Sequence, residues 1–333
     1  MKKIFSLFLL SYTLLSAEML ISAGGFDVTE YKNLFSFRNY DLNDSSIQGK
    51  NINITKVLHK ISPNVNAVSI WITRDWEEDW YDVKTTQNEI INKGYTPIFI
   101  FYYFADEINP KFIKNNKKAY FEKLVKFKNY LKKLHGQKIV ILNPEYNMFG
   151  VEKLDSMNDI FLNSFKILRE DVQVLVGPCV GDFGNYKKTN EPQEWKLFDK
   201  SLYRAAKKAD FIAFQEMRAL TRNSKGDLLR TPKRAYNFSK YLHKKYGKPT
   251  ILAYAAISSY GKDGEDIQAK VYKGFVKYLP LMYKQAELLS FGTFHYFDYP
   301  GHVGYFNKAE EFFGVLRKDG TQKPAFKYYN RLK

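Results

Sequence analysis

The sequence predicts an α/β protein built as a single-domain (β/α)8 barrel of the TIM type. Three observations predict it. Eight short apolar runs alternate with blocks of helical periodicity along the whole chain. The runs are almost continuously apolar, as in parallel strands covered on both faces, and do not alternate apolar with polar. The chain has 333 residues, without a repeat or a low-complexity linker, and one such barrel takes roughly 250 residues. A doubly wound open sheet would carry a glycine-rich phosphate loop after an early strand. Ala23-Gly24-Gly25-Phe26 lacks that spacing.

Taken in order, Met19-Leu20-Ile21-Ser22-Ala23 opens as strand one, and residues 66–73 (NAVSIWIT) form strand two. Residues 96–103 are strand three, 138–142 strand four and 172–176 strand five. Residues 210–214, 249–254 and 289–296 complete the set. Between them, helices are predicted over 84–92, 119–134, 156–168, 197–208, 232–246 and 266–286. Gly94 and Gly247 stand where helices should stop, and Pro232 stands where one should start.

Residues 1–17 have the form of a secretory signal peptide, leaving 18–333 as the barrel domain. Lys2 and Lys3 precede an apolar stretch from Ile4 to Leu15, and Ser16-Ala17 offers a cleavage site. The stretch is short against the roughly 20 residues of a membrane span, so no stable span is expected after processing. A periplasmic or secreted protein is expected. Cys179 is the single cysteine, which excludes an internal disulfide and a cysteine-based metal site; a structural role is expected for it.

The formal net charge is +17. It points either to an anionic partner (acidic polysaccharide, cell wall or membrane surface) or to solvated helix faces in a lysine-rich chain. An exported chain makes nucleic acid a poor partner. The sequence says nothing about oligomeric state.

In this architecture the loops after the strands build the site. The exits present, in order, Phe26-Asp27; Arg74, Asp75, Trp76 and Trp80; Tyr102, Tyr103 and Asp106; Asn143, Glu145 and Asn147; Cys179 and Asp182; Gln215, Glu216 and Arg218; Tyr254 and Ser258; His295, Tyr296 and Asp298. The ring is rich in carboxylates and aromatics and poor in histidine, which disfavours a histidine-rich metal site. No Gly-x-Ser-x-Gly elbow supports a serine hydrolase, and no cofactor is implied. The set suits carbohydrate: carboxylates for the acetal, amides for hydroxyls, aromatic rings for sugar faces.

Glu145 is the leading candidate. It follows the apolar run Lys138-Ile139-Val140-Ile141-Leu142 and lies between amides in Asn143-Pro144-Glu145-Tyr146-Asn147. Chains seldom bury a carboxylate unpaired, so acid/base chemistry is the functional reading; an ion pair with Arg74 or a loop lysine is the structural one. Glu216 has the same form, an apolar run closed by a glutamate, and is expected to be the second carboxyl; its structural alternative is a local pair with Arg218. Asn143, Gln215, Tyr254 and His295 are expected to shape the cleavage subsite. Trp76, Trp80, Tyr103 and Asp298 are expected to contact substrate around it, the two tryptophans by stacking or else by packing.

Three stretches resemble the clan-A glycoside hydrolases, the (β/α)8 group that holds many cellulases and mannanases. Asn143-Pro144-Glu145-Tyr146-Asn147 is similar to the strand-four segment that presents the acid/base glutamate. Lys248-Pro249-Thr250-Ile251-Leu252-Ala253-Tyr254 is similar to the strand-seven segment. Residues 314–326 (GVLRKDGTQKPAF) are similar to the closing turn before the last helix. The resemblance spans nearly the whole mature chain. It implies an acid/base role for Glu145 and a nucleophilic glutamate at the end of strand seven. Here Tyr254-Ala255-Ala256 occupies that place, and no carboxylate follows until Asp263. Retaining, inverting and substrate-assisted routes therefore all stay open. The expectation is an exported glycosidase acting on a poly- or oligosaccharide. The alternatives are a glycan-binding barrel without catalysis and a basic cell-surface scaffold.

Overall fold

The computed structural model describes residues 18–24, 36–38, 51–184 and 191–333. The expected signal segment, Phe26 and Asp27 lie outside them. Eight parallel strands close into a barrel: β1 Leu20–Ala23, β2 Ala67–Thr73, β3 Thr96–Tyr102, β4 Ile139–Leu142, β5 Leu175–Gly181, β6 Ile212–Arg218, β7 Thr250–Ile257 and β8 Leu288–Thr293. Each pairs with the next, and β1 closes the ring by pairing with both β8 and β2. A short antiparallel ribbon joins Ser36–Arg38 to Asn51–Asn53.

The strands are surrounded by helices: α1 Ile54–Ile61, α2 Val83–Glu89, α3 Pro110–Lys132, α4 Met157–Arg169, α5 Asp199–Ala206, α6 Lys225–Tyr246, α7 Gly264–Ala286 and α8 Phe326–Tyr329. Each expected strand and helix is present, with shifted ends. Helix α3 begins earlier than expected because Asn109 caps it, accepting from the Phe112 N–H at 2.9 Å, with Pro110 at its first position. Pro232 does not start α6. A capping box of Ser224 and Asp227 starts that helix, and Pro232 lies inside it. Gly94 and Gly247 do end their helices in the left-handed region, with φ of 86° and 63°.

Side-chain alternation along each strand splits the apolar residues into two cores. Ala67, Trp71, Ile98, Ile100, Ile139, Ile141, Cys179, Ala213 and Ile251 fill the barrel interior. Their neighbours, including Val68, Ile70, Phe99, Phe101, Val140, Leu142, Ile212, Phe214 and Leu252, pack outward against the helices. Cys179 is buried in the interior without a disulfide, and burial, together with the charge of Glu145, raises its thiol well above the ordinary range. Burying both faces of every strand is why the sequence runs are continuously apolar. Among the described residues no helix is long and apolar enough to cross a membrane.

Candidate active site

The mouth of the barrel forms where β4 ends. Asn143 and Glu145 both adopt left-handed backbone, with φ of 48° and 63°, a region that non-glycine residues occupy uncommonly. The bend separates the two side chains. The Asn143 amide turns into the helix layer and donates to the Tyr120 hydroxyl of α3 at 3.1 Å, while Glu145 turns to the mouth and accepts from the Tyr254 hydroxyl at 2.7 Å. Asn147 fixes the loop, exchanging hydrogen bonds with the N–H and carbonyl of Gly181 at the end of β5, at 2.6 and 2.9 Å.

Glu145 is partly exposed, yet its pKa rises from 4.5 to about 7. Desolvation is the main cause; the charges of Asp106 and Glu310 add to it, and the Tyr254 hydrogen bond opposes it. Tyr254 is fully buried, and both burial and the Glu145 charge push its phenol upward. It therefore remains a hydrogen-bond donor. Arg74, the alternative partner for Glu145, pairs instead with Glu107 at 2.5 Å.

Around this pair lies an aromatic wall. Trp71 packs against Tyr102, Tyr254 and Phe294 with ring centroids 5.3, 5.3 and 5.4 Å apart. Tyr102 donates to Asp106 Oδ1 at 2.8 Å. Burial raises the Tyr102 phenol, and the charges of Glu145, Asp106 and Glu310 all contribute, so three carboxyl groups act on one ring. Glu310 is held by the Phe306 N–H at 2.7 Å and by His302 Nε2 at 3.2 Å. Asp106 is exposed and, among the described residues, is bonded to no side chain but Tyr102. Gln215 alternates with Ala213 and is in register with Tyr254, so it faces the interior. Its Oε1 is buried without a hydrogen-bond partner among the described residues. His295 is buried beside Phe294, Tyr299 and His302, and that burial holds its imidazole well below its ordinary pKa.

Glu145 and His295 follow the ends of β4 and β8, whereas Gln215 and Tyr254 lie within β6 and β7; Glu145 and Tyr254 are in contact. The other candidate residues are placed away from this pair. Strand β6 runs two residues past Glu216 and pairs to Ile257. Alternation places Glu216 on the outward face with Phe214, under helix α6, where it is fully buried and accepts from Arg218 at 2.6 Å. Trp76 packs outward against Phe127 and Tyr130 of α3, and Trp80 packs half-buried on that core. Tyr103 faces outward, edge-on to Phe104 and Tyr120. Asp298 is paired with Lys323 at 2.5 Å and accepts from the Gly314 N–H at 3.1 Å, tying the closing segment to β8; burial lifts its pKa to about 6. Sequence reasoning passed over Asp106, Tyr102 and Glu310 as site residues. Tyr102 carried a usable signal, since it alternates with the interior Ile98 and Ile100 whereas Tyr103 alternates with Phe99 and Phe101.

The chain is similar in structure to several solved barrels. A β-D-glucuronidase from Dictyoglomus thermophilum matches 94% of this chain with 14% identity and a TM-score of 0.57; the chain spans only 49% of that protein. An active-site mutant of a β-1,3-glucanosyltransferase from Rhizomucor miehei, in complex with laminaritriose, matches 92% of this chain and 96% of its own, with 14% identity and a TM-score of 0.55. GH5_18 from Bifidobacterium longum subsp. longum matches 95% and 79%, with 14% identity and a TM-score of 0.59. Identity this low establishes the shared barrel and nothing finer. No family model matches the sequence, and the comparison with curated proteins found no match.

Proposed function

We propose that the protein is an exported glycoside hydrolase in which Glu145 donates a proton to the leaving glycosidic oxygen. The observation that carries this reading is the state of Glu145: a carboxyl at the barrel mouth, on left-handed backbone, bonded to Tyr254 and raised to about 7. A general acid needs a pKa near the working pH, and glycosidases keep their acid protonated in this way. Several proteins of the same barrel are named for action on glycans, which supports the reading at the level of class.

Asp106 supplies the second carboxyl. It is exposed, raises Glu145 by its charge and is oriented by Tyr102, whereas both oxygens of Glu310 are engaged. In the proposed step Asp106 takes a proton from water, the water oxygen bonds to the anomeric carbon, and the glycosidic C–O bond breaks. The departing oxygen receives the Glu145 proton. The product sugar then carries inverted configuration. Gln215, whose buried Oε1 has no hydrogen-bond partner among the described residues, lies in the interior in register with Tyr254. The protein works in the periplasm or outside the cell.

Asp106→Asn should lower kcat by about 10²- to 10³-fold on whichever glycan the native enzyme hydrolyses, with an unchanged melting temperature. Proton NMR of the first-formed product from the native enzyme should show inversion. Retention, or full activity in the variant, would remove Asp106 from the role.

Tyr254 tunes the acid. Its hydrogen bond favours the ionised Glu145, so Tyr254→Phe should raise the Glu145 pKa further. A general acid works while protonated, so the alkaline limb of kcat against pH should move to higher pH. The rate at the optimum should fall by about 10-fold as the carboxyl loses its anchor. A limb that stays fixed or moves to lower pH would contradict the assignment of Glu145 as the acid.

A further inference from the structure

Helices α6 and α7 pack side by side and together carry eleven lysine and arginine residues against three aspartate and glutamate residues. Two helices thus hold nearly half of the net charge of +17. We infer that their shared outer face docks a linear acidic polysaccharide. The inference goes beyond the proposed reaction and does not depend on Glu145, because the face lies on the side of the barrel and not at its mouth.

All three acids are already engaged. Asp227 caps α6 and accepts from Arg230 at 2.5 Å, Glu265 accepts from Arg317 of the closing segment at 2.7 Å, and Asp266 faces Lys270 at 4.0 Å. Two of the cations turn to neighbouring elements, Arg234 to Asp182 and Lys245 to Asp199. Lys233, Lys240 and Lys244 on α6 and Lys273, Lys277 and Lys284 on α7 point elsewhere. All six are exposed, and none has a carboxylate within ion-pair distance among the described residues. Four lysines at the end of α3 differ in this respect: Lys126 meets Glu77, Lys128 meets Glu170, Lys132 meets Asp171 and Lys133 meets Glu78. Like charges one turn apart, as at Lys240 and Lys244 or Lys273 and Lys277, oppose helix formation. The array is therefore a burden on the free protein that an anionic partner relieves.

The seam between the helices fixes the array. Gly274 lets α7 close on α6, since a β-carbon there would meet the Pro232 ring at 2.7 Å. Farther along, Tyr236 and Tyr278 stack across the seam with centroids 5.6 Å apart, and Gln285 accepts from the Tyr236 hydroxyl at 2.7 Å. Lys240 Nζ lies 5.1 Å from the Tyr236 centroid and Lys277 Nζ 5.6 Å from that of Tyr278, so each ring holds one ammonium group beside the seam. The contacts advance together along both helices, which therefore run parallel with their lysine rows side by side. Each row, 233 to 244 and 273 to 284, covers about 17 Å of helix. An array of this length and single sign matches a polymer with a carboxylate on successive sugars. A lipid surface fits less well. Lasting adsorption to a membrane takes an inserted apolar group besides basic charge, and the two seam rings are half-buried and turned on each other. Leu229 and Tyr283, the exposed large apolar residues of these helices, stand at opposite ends of the face.

The test measures binding of the full chain to polygalacturonate and to vesicles of phosphatidylglycerol. One variant combines Lys240→Gln, Lys244→Gln, Lys273→Gln and Lys277→Gln. A control combines Lys111→Gln, Lys114→Gln, Lys117→Gln and Lys208→Gln, exposed positions on other helix surfaces, and so has the same net charge. At about 20 mM salt the native protein should bind polygalacturonate, and about 300 mM salt should abolish the binding. The α6–α7 variant should bind at least about 10-fold more weakly, with the control within about twofold of native. Melting temperatures of all three should agree. Equal losses in the two variants would assign the binding to net charge and overturn the inference, as would failure of the native protein to bind at low salt. Vesicle binding that the α6–α7 variant alone loses, with polymer binding intact, would give the face to a membrane instead. Because binding is read without turnover, failure of the glycosidase reading leaves this result standing.

Discussion

Glu145→Gln is expected to lose turnover by about 10²- to 10⁴-fold and, in the same protein, to gain stability at neutral and alkaline pH. The gain follows from the sign of the pKa shift. In the folded state Glu145 holds its proton up to about 7, against an ordinary value of 4.5. Between those two values the native protein binds more protons than the unfolded chain, so stability falls as pH rises through that window. The loss is complete above pH 7 and absent below 4.5. A shift of this size corresponds to about 3 kcal/mol. Glutamine keeps an oxygen for the Tyr254 hydroxyl and has no charge to desolvate, so the variant should recover most of that energy above pH 7. For a chain of this length that is about 5 °C in melting temperature. Calorimetry of both proteins at pH 4.5 and pH 8 checks it: the curves should coincide at the lower pH and separate at the higher. Coincidence at both would mean that the carboxyl is well solvated and is no poised acid. A site residue whose removal stabilises the fold is one retained for chemistry.

The barrel was legible because burial on two faces leaves a direct trace: each strand is an apolar run, each helix a period, and glycine stops such as Gly94 and Gly247 punctuate them. Glu145 was legible for the same reason, as a charge set directly against such a run. What composition does not carry is the side of the strand on which a residue falls. At β6 the apolar run ends with Phe214, but the hydrogen-bonded ladder continues to Arg218, so Glu216 is a strand residue and not an exit residue. Trp76 and Tyr103 resemble mouth aromatics in one dimension and lie beneath α3 in three. The left-handed turn at Asn143 is equally invisible, and it sends the amide away from the site. Asp106 and Glu310 sit on short 3-10 turns, Ala105–Glu107 and Asn307–Phe312, without a periodic signal. Only the closed ring brings them to bear on Glu145.

The second large effect concerns the ionic cluster beneath α6. Asp182 takes two hydrogen bonds from Arg234, at 2.5 and 2.7 Å, and a third from the Trp195 indole at 2.6 Å. Arg218 bonds Glu216 at 2.6 Å and lies 3.5 Å from Asp182. All four charged side chains are buried, and burial raises Glu216 well above the ordinary carboxylate range, against the pull of Arg218. Such a cluster fixes β5, β6 and α6 in register, and its cost appears when one partner is removed. Arg218→Met takes away the cation that bonds Glu216 and should destabilise the protein by about 3–5 kcal/mol in denaturant unfolding. Glu216→Gln keeps the shape and an acceptor for Arg218, so it should cost only about 1–2 kcal/mol and leave kcat within about twofold for the folded protein. This pairing of results distinguishes architecture from chemistry. Should Glu216→Gln melt like the native protein and yet lose turnover more than 100-fold, Glu216 would return as the second carboxyl and Asp106 would lose that role. A stability loss with intact turnover makes Glu216 a strut between sheet and helix, and leaves the mouth to Glu145, Asp106 and the tyrosines that hold them.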